Sequence, residues 1–227
     1  METLVRAISA LAWVMSVLGA FVFVMQAMSP KPEVTLPFGL KSPGLAIEFA
    51  ELSEVEKILG GADSPMRTKI RQGLYGDYCF IAMYWLLFAG MSALLVGRGH
   101  RWAVFAGVVA GVCATSAAIF DVVENLSIAA LLDAAVVQPE LVRNVASAGF
   151  GKWLLVSLAT LILSLVFLHK DWLALLGGFY FLIGIIGIYG ILRDPRFVEG
   201  SFLLSFVGVL AVAIVFTFWP GKFMGLF

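Results

Sequence analysis

"WAVFAGVVAGVCATSAAIFDVVENLSIAALL", residues 102–132, decides the fold. It is longer than the roughly 20 mostly apolar residues that cross a hydrocarbon core. Yet it carries two acids and an amide, Asp121, Glu124 and Asn125. Gly107, Gly111, Ala114 and Ala118 precede them at alternating four- and three-residue steps, and the same steps continue to Asp121 and Asn125. Such residues share one helix face. Small residues mark closely packed faces in membranes, so the acids point into a bundle. A carboxylate facing lipid costs several kcal/mol, which favours the same direction.

The rest of the chain supplies that bundle. The sequence is 61% hydrophobic and 13% charged, against about half and a quarter in soluble domains. Further spans are predicted at 3–28, 74–96, 150–168, 172–192 and 197–219, so the fold class is an all-α bundle of six transmembrane helices. The chain reads as a single integral membrane domain, residues 1–227. The first apolar run, Ala7 to Met28, exceeds the roughly 7–15 residues of a signal-peptide core, and no A-x-A-like site closes it. It reads as a retained span. Short connections at 97–100, 169–171 and 193–196 force antiparallel neighbours. An even number of spans places both ends of the sequence on one side.

Residues 29–73 form one long connection. It opens rich in Pro and Gly, as a loop does. In "LAIEFAELSEVEKIL" (45–59), apolar residues then recur at helical steps between glutamates. This predicts an amphipathic helix, too polar to span, lying at the interface or capping the bundle. Most Lys and Arg lie on the long-loop side, but those on the other side are denser, so the positive-inside rule leaves orientation open. The net charge of zero gives no sign of a nucleic-acid partner. Cys79 and Cys113 read as free thiols, and His100 and His169 as turn residues. Gly184, Gly187 and Gly190 make a packing face. Tyr75, Tyr78, Trp85, Trp102, Trp153 and Trp172 read as interfacial or packing aromatics.

A second acid meets the first. Asp77, seven residues before Tyr84, lies as far before Gly99 as Asp121 lies after it. Each is about 33 Å along its helix from a turn there, at 1.5 Å per residue. A hydrocarbon core is about 30 Å thick. The two aspartates therefore reach one level near the long-loop surface, where Glu48 and Glu51 also lie. Several close carboxylates repel. The sequence offers Arg67, Lys69, Arg71 and Arg193 as counter-charges, or a divalent cation (Mg, Mn or Ca) held by Asp77, Asp121 and Glu124.

Three motifs, "EFAELSEVEKIL" from Glu48, "LYGDYCFIAMY" (74–84) and "DVVEN" (121–125), resemble a family of uncharacterised small membrane proteins, mainly bacterial. The resemblance covers about residues 46–132. It implies a polar centre of Glu48, Asp77, Tyr84, Asp121, Glu124 and Asn125 and a bacterial inner membrane, but no activity. In logic alone the acids are similar to those of membrane prenyl- and phosphotransferases, without their second acidic motif.

The leading expectation is a pocket between the second and third spans, at headgroup depth, that binds or acts on a lipid or isoprenoid amphiphile. Asp77, Asp121 and Glu124 are its candidate catalytic groups, and Tyr84, Asn125, Glu48 and Glu51 its substrate-binding groups. Membrane lipids are the expected partners. A transporter or ion-binding protein, and a purely structural polar clamp, stay open. The last three spans offer almost no ionisable residue for a path across the bilayer.

Overall fold

The computed structural model describes residues 2–28, 34–97, 100–167 and 173–219. Six of its helices are long and apolar enough to cross a membrane, and the chain is a multi-pass integral membrane protein. The elements are α1 (Glu2–Met28), α2 (Pro43–Phe49), α3 (Leu52–Leu59), α4 (Pro65–Val96), α5 (Arg101–Asp133), α6 (Pro139–Phe167), α7 (Leu173–Arg193) and α8 (Pro195–Phe218). The turn at Gly99, the 169–171 connection, His169 and Trp172 lie outside the described residues.

The six spans form a closed ring. Each packs on the next, α4 on α5, α5 on α6, α6 on α7, α7 on α8, and α1 closes the circle between α8 and α4. Lipid is as apolar as leucine, so close backbone approach, not water exclusion, holds such helices together. On α1 the buried residues are Val5, Ser9, Ala12, Ser16 and Gly19, a small-residue seam against α4. The Ser16 hydroxyl lies 2.7 Å from Ala12 O and 2.5 Å from Met83 Sδ. On α5 a Cβ at Gly107 would stand 2.7 Å from the Ser92 carbonyl oxygen, so only glycine permits the α4–α5 contact there. The expected glycine face of α7 packs as well. Gly184 meets Leu161 and the Ser157 backbone, Gly187 meets the Ser157 hydroxyl, and Gly190 meets the backbone of Val198. Phe80, Tyr84, Phe88, Leu163, Tyr180 and Val209 belong to the core that fills the ring.

A second core lies at the long-loop end. Here the expected single amphipathic helix is two, α2 and α3, broken at Ala50–Glu51. The break is set by capping: the Glu54 carboxylate reaches back to the Glu51 N–H at 2.9 Å. Gly60, at φ 62°, ends α3. Of the apolar residues at helical steps, Ile47, Ala50, Val55, Ile58 and Leu59 are nevertheless buried and Leu52 is half-buried. They cap the bundle over Met66, Ile70, Ile128, Leu131, Val142 and Val145.

This cap explains why α4 and α6 start earlier than expected, at Pro65 and Pro139 rather than at 74 and 150. Their polar first turns are too hydrophilic to read as span, but they carry Met66, Ile70, Val142 and Val145 under the cap. The basic run 67–72 is used structurally. Arg67 is buried and donates to Leu131 O, Leu132 O and Ala134 O at 3.2, 2.8 and 3.0 Å, satisfying the free carbonyls at the end of α5. Arg71 pairs with Asp133 at 2.6 Å. Neither is a counter-charge for the buried acids.

Candidate functional site

A polar layer separates the two cores. On α4, Ile70 belongs to the loop-end core and Phe80 to the ring core, with Asp77 between them. On α5, Asp121, Glu124 and Asn125 lie between Ala114 and Ile128. On α6, Lys152 lies between Val145 and Ala159. Antiparallel packing brings these levels together. Asn125 Nδ2 donates to Asp77 Oδ2 at 2.7 Å, and the Tyr84 hydroxyl donates to Asp121 Oδ2 at 3.2 Å.

The centre of the layer is Lys152, only 6% exposed. Its ammonium lies 2.7 Å from Glu124 Oε2, 3.2 Å from Asp121 Oδ1 and 3.2 Å from Glu48 Oε1. An ammonium has three N–H donors and no acceptor, so one cation faces three carboxylates from α2 and α5. The second Glu48 oxygen accepts from Trp153 Nε1 at 2.6 Å. The ammonium also stands 4.9 Å from the centroid of the Trp153 ring, within cation–π range. Two glycines make room. A Cβ at Gly149 would lie 2.7 Å from Glu48 Oε2, and one at Gly151 would lie 3.2 Å from the Phe120 ring. Gly149 admits the α2 carboxylate, and Gly151 lets α6 close on α5.

Lys152 and Trp153 are the residues that sequence reasoning missed. With the fourth span starting at 150, Lys152 stands at its edge and reads as a flanking charge. With α6 starting at Pro139, Lys152 is about 20 Å along the helix at 1.5 Å per residue. The available signal was "GFGKW", a lysine held between small and aromatic residues at 149–153. Trp153, expected as an interfacial or packing aromatic, is a buried hydrogen-bond donor to the centre.

Of the expected set, Glu48, Asp121, Glu124, Asn125 and Tyr84 are buried in the layer and Asp77 is half-buried beside it. Glu51 is exposed and serves as the N-cap of α3, away from the site. The expected metal ligands Asp77, Asp121 and Glu124 are not gathered as a metal site. Among the described residues no three His, Cys, Asp or Glu side chains converge in that way. The lysine ammonium takes the position between the acids instead. One cation does not balance these carboxyls, so the remaining charge falls to protons on them or to an added cation. Cys79 and Cys113 are free and half-buried.

Beside the layer lies a cavity of about 120 Å³. The expected position is between the second and third spans, on the long-loop side. The cavity is instead walled by α1, α2, α4, α5, α6 and α8, with Ile70, Leu74 and Phe202 on its apolar sides and Asp77, Asn125 and Lys152 on its polar side. No family model, curated protein or solved structure matches this chain.

Proposed function

We propose that this membrane protein binds a lipid or isoprenoid amphiphile, with the polar head in the cavity at headgroup depth. The observation that carries the reading is the cavity itself, an apolar-sided space of about 120 Å³ that ends on Asp77, Asn125 and the buried Lys152 cluster. Ligand sites are concave and mostly apolar, with a few placed polar groups. The volume lies below the roughly 300–1,000 Å³ of pockets that enclose whole ligands, which suits a small head rather than a whole ligand. The reading also uses residues of all three resemblance motifs, since Glu48 and Asp121 share the Lys152 ammonium and Asp77 accepts from Asn125. In this account the Lys152 cluster holds the wall in place, and Asp77 and Asn125 meet the ligand. The apolar filling of the ring beyond Tyr84 argues against a transport path. Nothing in the reading requires turnover or a metal ion.

Gly44 lines the cavity, and a Cβ there would meet nothing within 4 Å. The Cβ of Gly44→Phe therefore displaces no backbone, and its ring is placed at the cavity wall. Native mass spectrometry of protein extracted in mild detergent is expected to show a bound amphiphile on the natural chain. Gly44→Phe should lose most of it while melting within a few degrees of the natural chain. Equal occupancy in both, or no bound amphiphile on either, would reject the reading.

A further inference from the structure

The cavity's charges and rings specify the head more narrowly. This step rests on the amphiphile reading above. Its wall carries Glu48, Glu124, Asp77 and Glu199 against Lys152 and Lys69. Lys152 is already engaged by Glu48, Asp121 and Glu124. Glu199 accepts the backbone N–H groups of Lys41 and Ser42 at 2.9 and 2.7 Å, fastening the start of α2 to α8. Asp77 is different. Among the described residues its one hydrogen bond comes from the neutral Asn125 amide, and no cation forms an ion pair with it. Lys69 stands about 12 Å away along α4 at 1.5 Å per residue, toward the long-loop end. An anionic head at Asp77 would meet a like charge in a low-dielectric space, where repulsion is strong.

The second observation is aromatic. Phe23, Trp153 and Phe202 all line the cavity. Phe202 gathers the rings, with centroids 5.9 Å from Phe23, 6.0 Å from Trp153 and 4.9 Å from Phe80. Ring faces attract cations, and quaternary ammonium groups are commonly bound by such rings. The protein's own ammonium already lies against Trp153.

We propose that the cavity selects an ammonium headgroup, held by the Asp77 carboxylate and faced by the rings of Phe23, Trp153 and Phe202. A primary or quaternary ammonium fits about 120 Å³, and the attached chain extends into the bilayer.

The test uses the full chain in a neutral maltoside detergent, titrated at sub-micellar levels and read by native mass spectrometry. The probes are dodecyltrimethylammonium, dodecyl sulfate and choline. Dodecyltrimethylammonium is expected to reach half-occupancy at a concentration at least tenfold below dodecyl sulfate. Asp77→Asn keeps the shape beside Asn125, and should erase that preference without lowering sulfate occupancy. Its melting temperature verifies folding. Equal binding of the two dodecyl probes, or a preference that survives Asp77→Asn, overturns the ammonium proposal while leaving an amphiphile site. Tight, Asp77-dependent binding of choline without any gain from the chain upholds ammonium recognition and overturns the amphiphile reading. Binding of none of the probes overturns the ammonium proposal.

Discussion

Lys152→Met is expected to destabilise the folded protein by about 3–5 kcal/mol, the usual cost of removing one member of a buried charge group. Methionine has a similar length and packs adaptably, so lost volume contributes little. The damage is electrostatic. Glu48, Asp121 and Glu124 all lie within 3.2 Å of the ammonium, and without it three buried carboxyls lose their shared cation. The effect is read as thermal unfolding in detergent. Adding Glu48→Gln, Asp121→Asn and Glu124→Gln to Lys152→Met should recover more than half of the loss, because a neutral set of similar shape has no charge to compensate. A single variant that unfolds at the natural temperature would show that Lys152 is not the counter-ion of the centre. A rescue that fails would show that the damage is steric.

Glu48→Ala is expected to free α2 without unfolding the ring. A seven-residue helix is far below the roughly 12–15 residues needed for standing alone in water, so α2 persists through its tertiary contacts. Glu48 supplies two of these, to Lys152 and to Trp153 Nε1. Hydrogen bonds to charged groups contribute about 1.5–3 kcal/mol each. Two such bonds sum to about 3–6 kcal/mol, so at roughly 1.4 kcal/mol per tenfold amide exchange across residues 44–49 should rise at least about 100-fold, while α5 amides near Asp121 change much less. Unchanged exchange in α2 would mean that its apolar face and the Glu199 contacts alone hold it.

Most of the architecture was legible because membrane spans are written in long apolar runs, and the seam from Gly107 to Asn125 pointed its acids inward. The short connection at 97–100 foretold the antiparallel packing of α4 on α5, in which Asp77 meets Asn125 and Asp121 meets Tyr84. What escaped depends on tertiary packing. Hydropathy alone ends a span where polar residues begin, yet α4 and α6 continue under the α2–α3 cap because Met66, Ile70, Val142 and Val145 find partners there. That hidden extension of α6 is why Lys152 read as an edge residue. The sequence offers Arg67, Lys69, Arg71 and Arg193 as counter-charges because they stand on the long-loop side with the acids. In the fold Arg67 and Arg71 serve the end of α5. Glu51 reads with Glu48 because the predicted amphipathic helix 45–59 carries both to the long-loop side. The break at Ala50 separates them, so one is a cap and the other a buried ion-pair partner.

The central claim, an amphiphile headed into the cavity beside the Lys152 cluster, is tested most directly by photo-crosslinking. The probe is an alkyl ammonium with a diazirine on the carbons nearest its head, and the adducts are mapped by peptide sequencing. The account predicts adducts on the cavity wall, at Ile70, Leu74 and Phe202, that disappear in Gly44→Phe. Adducts confined to outward-facing residues such as Phe21, Val112 and Leu203, which are 63%, 61% and 64% exposed, and unchanged in Gly44→Phe, would contradict it.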